Sequence, residues 1–343
     1  MKQTKVAFVG QPEYNLPLYE NDLDDIYTIQ NFCTLFDLKI NRLSVESMSS
    51  LIAFRPDISI CFRPEYFSKE LVSALSGIKV GISTEPVPKY ANGELHYSLD
   101  SISRFRNLLR AAPLGFDFIF HYDSSSISFM ALMGINLSGT VPLPVATRTW
   151  TAMPGAERGN NWDVVFLGRS TTYREKHFSP LKRDLRFLHI AHGITGKDML
   201  PYYHASTIGL NIHSEPELMW EPRVQQLMAA GLLVVSEQIS PNGILVPGEH
   251  FIEITDPSST YEICERIVAN PRQFEGIRRA GYERVRNLLS ACQIWPSLIS
   301  GCLEGAFSRP LFDLERVHLG PLEICAEFSG FEHLLHEFRD ALS

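Results

Sequence analysis

Two short apolar runs ending in glycine, Val6-Ala7-Phe8-Val9-Gly10 and Asp163-Val164-Val165-Phe166-Leu167-Gly168, open the two halves of the chain. Each begins a series of apolar runs that alternate with helix-like segments. Continuous apolar runs of this length suit strands covered on both faces, which is the pattern of a parallel sheet flanked by helices. At 343 residues the chain exceeds what one hydrophobic core usually organises, so two such α/β layers are expected.

In the first half the expected strands are residues 5–10, 58–62, 79–83 and 116–120, and Val141-Pro142-Leu143-Pro144-Val145 closes the set. Helices are expected over 25–37, where Ile26, Ile29, Phe32, Cys33 and Phe36 fall on one helical face, near 99–110, and after Ser124-Ser125-Ser126 up to Gly134. In the second half the expected strands are 163–168, 185–191, 207–212, 232–236 and 251–254, with helices near 222–230, 258–269 and 271–290. Residues 147–161 are polar, rich in Pro and Gly and without periodicity, and they read as a linker. The expected division is therefore 1–148, a linker at 149–161, 162–305, and a tail at 306–343. In that tail Phe331, Leu334, Leu335, Phe338 and Leu342 share a helical face that packs back on the domains.

A formal net charge of -8 argues against a nucleic-acid partner, which needs clustered Lys and Arg, but leaves room for a small phosphate pocket. The six cysteines are scattered in apolar surroundings with no Cys-x-x-Cys pair, so they read as reduced, buried thiols. No apolar stretch reaches the ~20 residues of a membrane span, and the first apolar run is too short for a signal peptide. The expectation is a cytoplasmic protein whose membrane contact, if any, is peripheral. Asp22-Leu23-Asp24 has the form of a metal-binding D-x-D but precedes a helix pattern, so it reads as a solvated helix start. His189 and His192 fall on opposite faces of a strand and make no metal pair. No metal site is expected.

In wound parallel sheets ligands bind beyond the carboxyl ends of the strands, so the informative residues are those that follow each strand. In the second half these are Gly168-Arg169-Ser170, Asn211-Ile212-His213-Ser214 and Ser236-Glu237. The strongest unit runs from Glu215 to Glu237. A loop carrying Glu215, Glu217 and Glu221 leads into the segment Pro222–Gly231, with proline at its start and glycine at its stop, and then into an apolar strand. Arg223 lies in the first helical turn, where a cation is unfavourable to the helix and useful to a bound diphosphate; pairing with a neighbouring glutamate is the other explanation. His213, at its strand end, is a further ligand candidate. In the first half His121, Asp123 and Glu85 follow strands and are candidates for an acceptor base.

The segments GLNIHSEPELMWEPRVQQLMAAGLLVVSE and VPGEHFIEITDPSSTYEICERIVANPRQFEGIRRAGYERV resemble the C-terminal domain of GT-B glycosyltransferases, in the group-1, GT4-like set and nearest its CgeB-type branch. The likeness covers about 207–290 and extends more loosely to DVVFLGRSTTYREKHFSPL, to FDFIFHYDSSSISFMALMGI and to VPLPVA. It implies two Rossmann-like domains facing each other across a cleft, with a nucleotide-sugar of UDP or GDP type as donor substrate and no further cofactor. Gly168 and Arg169 match the strand-end Gly-Arg facing the donor phosphates, and Arg174 is a second phosphate candidate. Arg223 to Gln226 match the segment beside ribose and diphosphate. The sequence departs from the family at Gln226, where a glutamate is usual, and at Leu218, where the other member of the Glu-x7-Glu pair would fall. Glu217 and Glu221 are its offset neighbours. The resemblance implies transfer with retention to a glycan, lipid-linked or small-molecule acceptor. The leaving phosphate can then take the acceptor proton, and the arginines can do the work of a metal. An epimerase on the same fold and a catalytically degenerate nucleotide-sugar-binding protein are the alternatives.

Overall fold

The computed structural model describes residues 3–37, 40–43, 45–150 and 161–314. The tail helix expected over 328–342 and nearly all of the expected linker lie outside the described residues. The chain divides into two compact units, one of Met1–Asn15, Leu23–Pro142 and Trp295–Ser343, the other of Leu16–Asp22 and Leu143–Ile294.

In the first unit the strands are β1 (Lys5–Gly10), β2 (Thr28–Asp37), β3 (Ile40–Leu43), β4 (Ile58–Phe62), β5 (Ile78–Ser83), β6 (Lys89–Ala91), β7 (Glu94–His96), β8 (Phe118–His121), β9 (Ile135–Asn136) and β10 (Gly139–Thr140). Seven of them form one sheet in the order β10-β8-β5-β4-β1-β2-β3, parallel except for β3. The chain winds outward from β1 in both directions, so the switch in strand order falls between β1 and β4. All five residues of β4 are buried, as a strand covered on both faces requires.

Residues 28–37 are a strand, not the helix expected over 25–37. Ile29 pairs in parallel with Val6, and Ile26, a member of the supposed apolar face, is 44% exposed. The same segment holds Thr28, Ile29, Phe32, Thr34 and Phe36, whose β-branched and aromatic side chains favour a pleated strand. A hydrogen-bonding edge on β1 decides between the two patterns, because leaving it open would strand a row of buried backbone groups.

The second division differs from the expected boundary at 305. Trp295, within the helix Ala291–Glu304, is fully buried against Phe8 and Phe62 at centroid distances of 5.4 and 6.0 Å, so the chain from there on belongs to the first unit. Further along, Leu311–Phe312 forms β16, antiparallel to β9.

The second unit holds β11 (Trp162–Leu167), β12 (Phe187–Ile190), β13 (Ser206–Asn211), β14 (Leu233–Glu237) and β15 (Ile252–Ile254), all parallel, in the order β12-β11-β13-β14-β15. Alternate residues of β11 enter opposite cores. Val165 and Leu167 join Val224, Leu227 and Val234, whereas Val164 and Phe166 join Phe178, Ile208 and Leu210. Gly209 permits the close seating of the helix Arg223–Ala229: a Cβ there would stand 2.7 Å from Leu227 Cδ2. The helix Pro257–Ala269 begins with a capping box in which the Asp256 carboxylate accepts from the Ser258 and Ser259 amides.

Asp22 starts no solvated helix. It is fully buried, and its carboxylate accepts hydrogen bonds from the backbone amides of Thr147 and Arg148 and the Thr147 hydroxyl, capping the short helix Thr147–Trp150. Among the described residues no helix is long and apolar enough to cross a membrane.

Candidate functional site

In the second sheet the strand order switches between β11 and β13, so the carboxyl ends of these two strands flank the place where a wound sheet opens to a ligand. Gly168 follows β11 at φ 149°, a region closed to other residues, and a Cβ on it would approach Phe166 at 3.2 Å and Arg223 Nη2 at 3.4 Å. The backbone thus turns directly against an arginine side chain.

Two guanidiniums converge on one ring here. Arg174, from the helix Thr172–Asp184, and Arg223, from the start of the helix Arg223–Ala229, lie 4.9 and 4.7 Å from the Phe166 centroid. Arg174 is buried and its position is fixed by the backbone. Its Nε donates to the carbonyls of Ile212 and His213 at 2.9 and 3.1 Å, and Nη1 donates to the carbonyl of Arg169 at 2.9 Å. Burial, and then the neighbouring Arg223, bring its pKa down to about 10. Arg223 Nη1 donates to Glu221 Oε2 at 2.7 Å and to Asn211 Oδ1 at 3.4 Å, while Arg174 Nη2 stands 3.9 Å from Glu221 Oε1. The site therefore has two close cations, one carboxylate and an aromatic floor. Its chemistry suits an anion with several oxygens.

Beside it, at the end of β14, the Glu237 carboxylate accepts from the Tyr173 hydroxyl and, at 2.6 Å, from the His213 backbone amide. Burial and this carboxylate push the Tyr173 hydroxyl pKa up. His213 is buried with Nε2 3.1 Å from the Gln238 carbonyl, which can only accept. Nε2 therefore donates to that carbonyl, and Nδ1 has no hydrogen-bond partner among the described residues. His177 faces Thr260 Oγ1 at 2.7 Å, and burial lowers its pKa.

The structure brings Gly168, Arg174, Glu221 and Arg223 together around Phe166. Arg169 joins them through its carbonyl while its side chain is exposed. Glu217 is half-buried on the loop before the helix, and Gln226 is half-buried one turn beyond Arg223, its amide without a side-chain partner among the described residues. Leu218 is buried, and Trp220 donates to Gln225 in the same segment. His189 Nε2 lies 2.9 Å from the Gly168 carbonyl, helping to fix that turn, and His192 is exposed. Sequence reasoning names Asn211 and Glu237 as strand-end residues without a role and passes over Phe166 and Tyr173. The alternation along β11 carries a signal for Phe166, since it is the last side chain on its face before Gly168.

In the first unit His121 is fully buried, with Nδ1 3.1 Å from Ser83 Oγ, and burial holds its pKa down at about 3. Asp123 is fully buried in a 2.6 Å ion pair with Lys89 and caps the turn Ser124–Ser126. Glu85 keeps partial exposure. Its carboxylate is shared between Arg63 at 2.5 Å and Arg104 at 2.7 Å. Arg63 adopts a left-handed backbone at the end of β4, φ 61°, a conformation that costs energy in a non-glycine residue.

Residues 151–294 match the family model described as "Glycosyl transferase-like". No curated protein matches the chain by sequence. Among solved structures, HepE from Anabaena, in complex with UDP and glucose, is similar at 9% identity with a TM-score of 0.55, covering 87% of this chain and 99% of that one. Sucrose-phosphate synthase from Thermosynechococcus elongatus is similar at 10% identity and 0.56, covering 87% and 100%. An alpha-glucosyltransferase in complex with UDP and a 13-mer DNA gives 12% and 0.59, covering 88% and 100%. The chain has the GT-B fold, two Rossmann-like units.

Proposed function

We propose that this protein transfers a sugar from a nucleoside-diphosphate sugar, of UDP or GDP type, to a hydroxyl of a glycan, lipid-linked or small-molecule acceptor, with retention and without a metal. One observation carries the reading. Arg174 and Arg223 are held over the Phe166 ring where β11 and β13 end, the position at which a wound sheet receives a phosphorylated ligand. As the bond from sugar to diphosphate breaks, negative charge grows on the diphosphate, and cations already in place stabilise it without reorganising. Arg223 and Arg174 flank the diphosphate in this scheme, with Arg169 beside them, and Arg174 also holds the loop ends. Gln226, one turn along the helix, would face the ribose as acceptor and donor of hydrogen bonds.

UDP in the HepE and alpha-glucosyltransferase complexes favours the uridine donor. The alpha-glucosyltransferase was solved with DNA, but a formal charge of -8 here favours an acceptor other than nucleic acid. Of the acceptor-side candidates, Glu85 has the exposure to meet a substrate hydroxyl, whereas His121 is sealed and neutral. A reaction in which the leaving phosphate takes the acceptor proton needs no histidine base. The free thiols of Cys61, Cys264 and Cys302 are buried and that of Cys292, against expectation, is exposed; four unpaired thiols fit a reducing, cytoplasmic setting.

The test is UDP binding by calorimetry on the whole protein and on Arg223→Glu. Wild type should bind, and the charge reversal should abolish binding while the protein stays folded; unaltered affinity would remove the diphosphate site. Sugar transfer should also persist in EDTA, and a strict Mg²⁺ or Mn²⁺ requirement would overturn the metal-free scheme. The buried Leu218 favours a second reading, a donor-binding protein without transfer, because an apolar side chain replaces a sugar-binding carboxylate there. UDP binding without turnover across neutral and lipid-linked sugar acceptors would support it.

A further inference from the structure

We propose that Glu221 is a built-in competitor for the diphosphate: in the free protein its carboxylate takes the place of an anion between Arg223 and Arg174, and it is displaced when the donor binds. This rests on the diphosphate reading above and adds a control on affinity and release to it. The first observation is the disposition of the carboxylate. Oε2 is 2.7 Å from Arg223 Nη1 and Oε1 is 3.9 Å from Arg174 Nη2, so each oxygen is turned to a different guanidinium.

The second observation is why such a bridge is needed. Two guanidiniums against one phenyl ring repel each other, and the depressed pKa of Arg174 records that repulsion after burial. Without a ligand, one negative charge between them relieves part of the repulsion. With Glu221 and Glu237 against Arg174, Arg223 and Arg169, the cluster still carries a net positive charge and still attracts a diphosphate.

The third observation is an asymmetry in how the groups are held. Arg174 is fastened to three backbone carbonyls and Arg223 lies on the ring, so the cations keep their places when the anion changes. Glu221 sits on the irregular segment ahead of the helix Arg223–Ala229, with its side chain 20% exposed. A rotation about its own side-chain bonds moves it toward solvent. The competition weakens substrate and product alike. Its use is therefore on release: after transfer the carboxylate re-enters and helps expel the nucleoside diphosphate, a step that limits turnover in many enzymes.

Glu221→Gln keeps the shape and removes the charge. Calorimetric titration of UDP into the full-length protein should give about tenfold tighter binding in Glu221→Gln than in wild type, a gain discounted for the partial exposure of the site. Glu221→Ala should also bind more tightly, and turnover should fall as UDP release slows. Inorganic pyrophosphate should show the same order, since the competition concerns phosphate oxygens and not the base. Equal or weaker UDP affinity in both variants, with melting temperatures unchanged, would overturn the competitor role and leave the diphosphate site standing. If wild type and both variants all fail to bind UDP and pyrophosphate, the diphosphate site falls as well.

Discussion

The guanidinium of Arg223 lies 4.7 Å from the centroid of the Phe166 ring, on a side chain that β11 buries against Phe178. The ring thus has two functions, one as core and one as the surface that orients a cation. A partly desolvated cation–π contact is worth about 0.5–2 kcal/mol. Phe166→Leu keeps most of the apolar volume and removes the π face. It should weaken UDP binding by about three- to tenfold, at 1.4 kcal/mol per tenfold, and lower the melting temperature only slightly. Phe166→Ala, by contrast, should cost about 3–5 kcal/mol of stability. UDP titration beside thermal unfolding separates the two; full affinity in Phe166→Leu would show that the ring is core alone.

Arg174 and Arg223 are expected to fail in different ways. Removing the Arg174 guanidinium leaves the carbonyls of Ile212, His213 and Arg169 without their donor in a buried place. Such orphaned groups cost about 2–4 kcal/mol together, and for a unit of this size that is about 5–10 °C in melting temperature. Arg174→Lys restores the charge but cannot reach three carbonyls, so it should melt nearly as early as Arg174→Ala while keeping part of the UDP affinity. Arg223→Ala should melt close to wild type and bind UDP poorly. Identical melting of Arg174→Lys and wild type would refute the structural role.

Much of this site was legible in the sequence because its framework is local. The run ending at Gly168, the strand ending at Asn211 and the segment from Pro222 to Gly231 each carry their own pattern, and the switch point follows from their order. What depends on distant partners was not legible. Residues 28–37 carry a helical period and a strand composition at once, and the free edge of β1 decides between them. The burial of His121 is likewise set by the layers above and below the sheet, and a strand-end position alone cannot reveal it. Trp295 joins the first unit through Phe8 and Phe62, residues far from it in the chain. The bridge from Glu221 to both arginines needs a side-chain geometry that spacing does not give.

Acid should weaken the first unit through His121. Its folded pKa, about 3, lies below the ordinary histidine value of 6.5, so the unfolded chain binds the proton more readily. Its contribution is therefore fully present above pH 6.5 and is lost progressively as the pH falls toward 3. Each pH unit in that window removes about 1.4 kcal/mol. His121→Asn can still meet Ser83 and does not titrate, so its stability should fall less steeply between pH 6.5 and 4.5. Chemical denaturation at several pH values measures both slopes, and parallel slopes would contradict the buried, neutral histidine.

Gly168→Ala tests how closely the turn after β11 must approach the ligand site. The position has φ 149°, which an alanine adopts only with strain of about 1–3 kcal/mol, and the added Cβ would press on the Phe166 ring at 3.2 Å while meeting Arg223 Nη2 at an ordinary contact distance of 3.4 Å. The strain falls at a strand end and not within a core, so the chain should still fold, with a lower melting temperature. The Phe166 ring must then shift by a few tenths of an ångström, and a shifted ring carries the Arg223 guanidinium out of line with the diphosphate. UDP affinity should drop by about tenfold or more, a larger loss than Phe166→Leu causes, because position and support fail together. A crystal structure or a titration showing Arg223 undisturbed and UDP bound as in wild type would mean that the turn and the cation are independent.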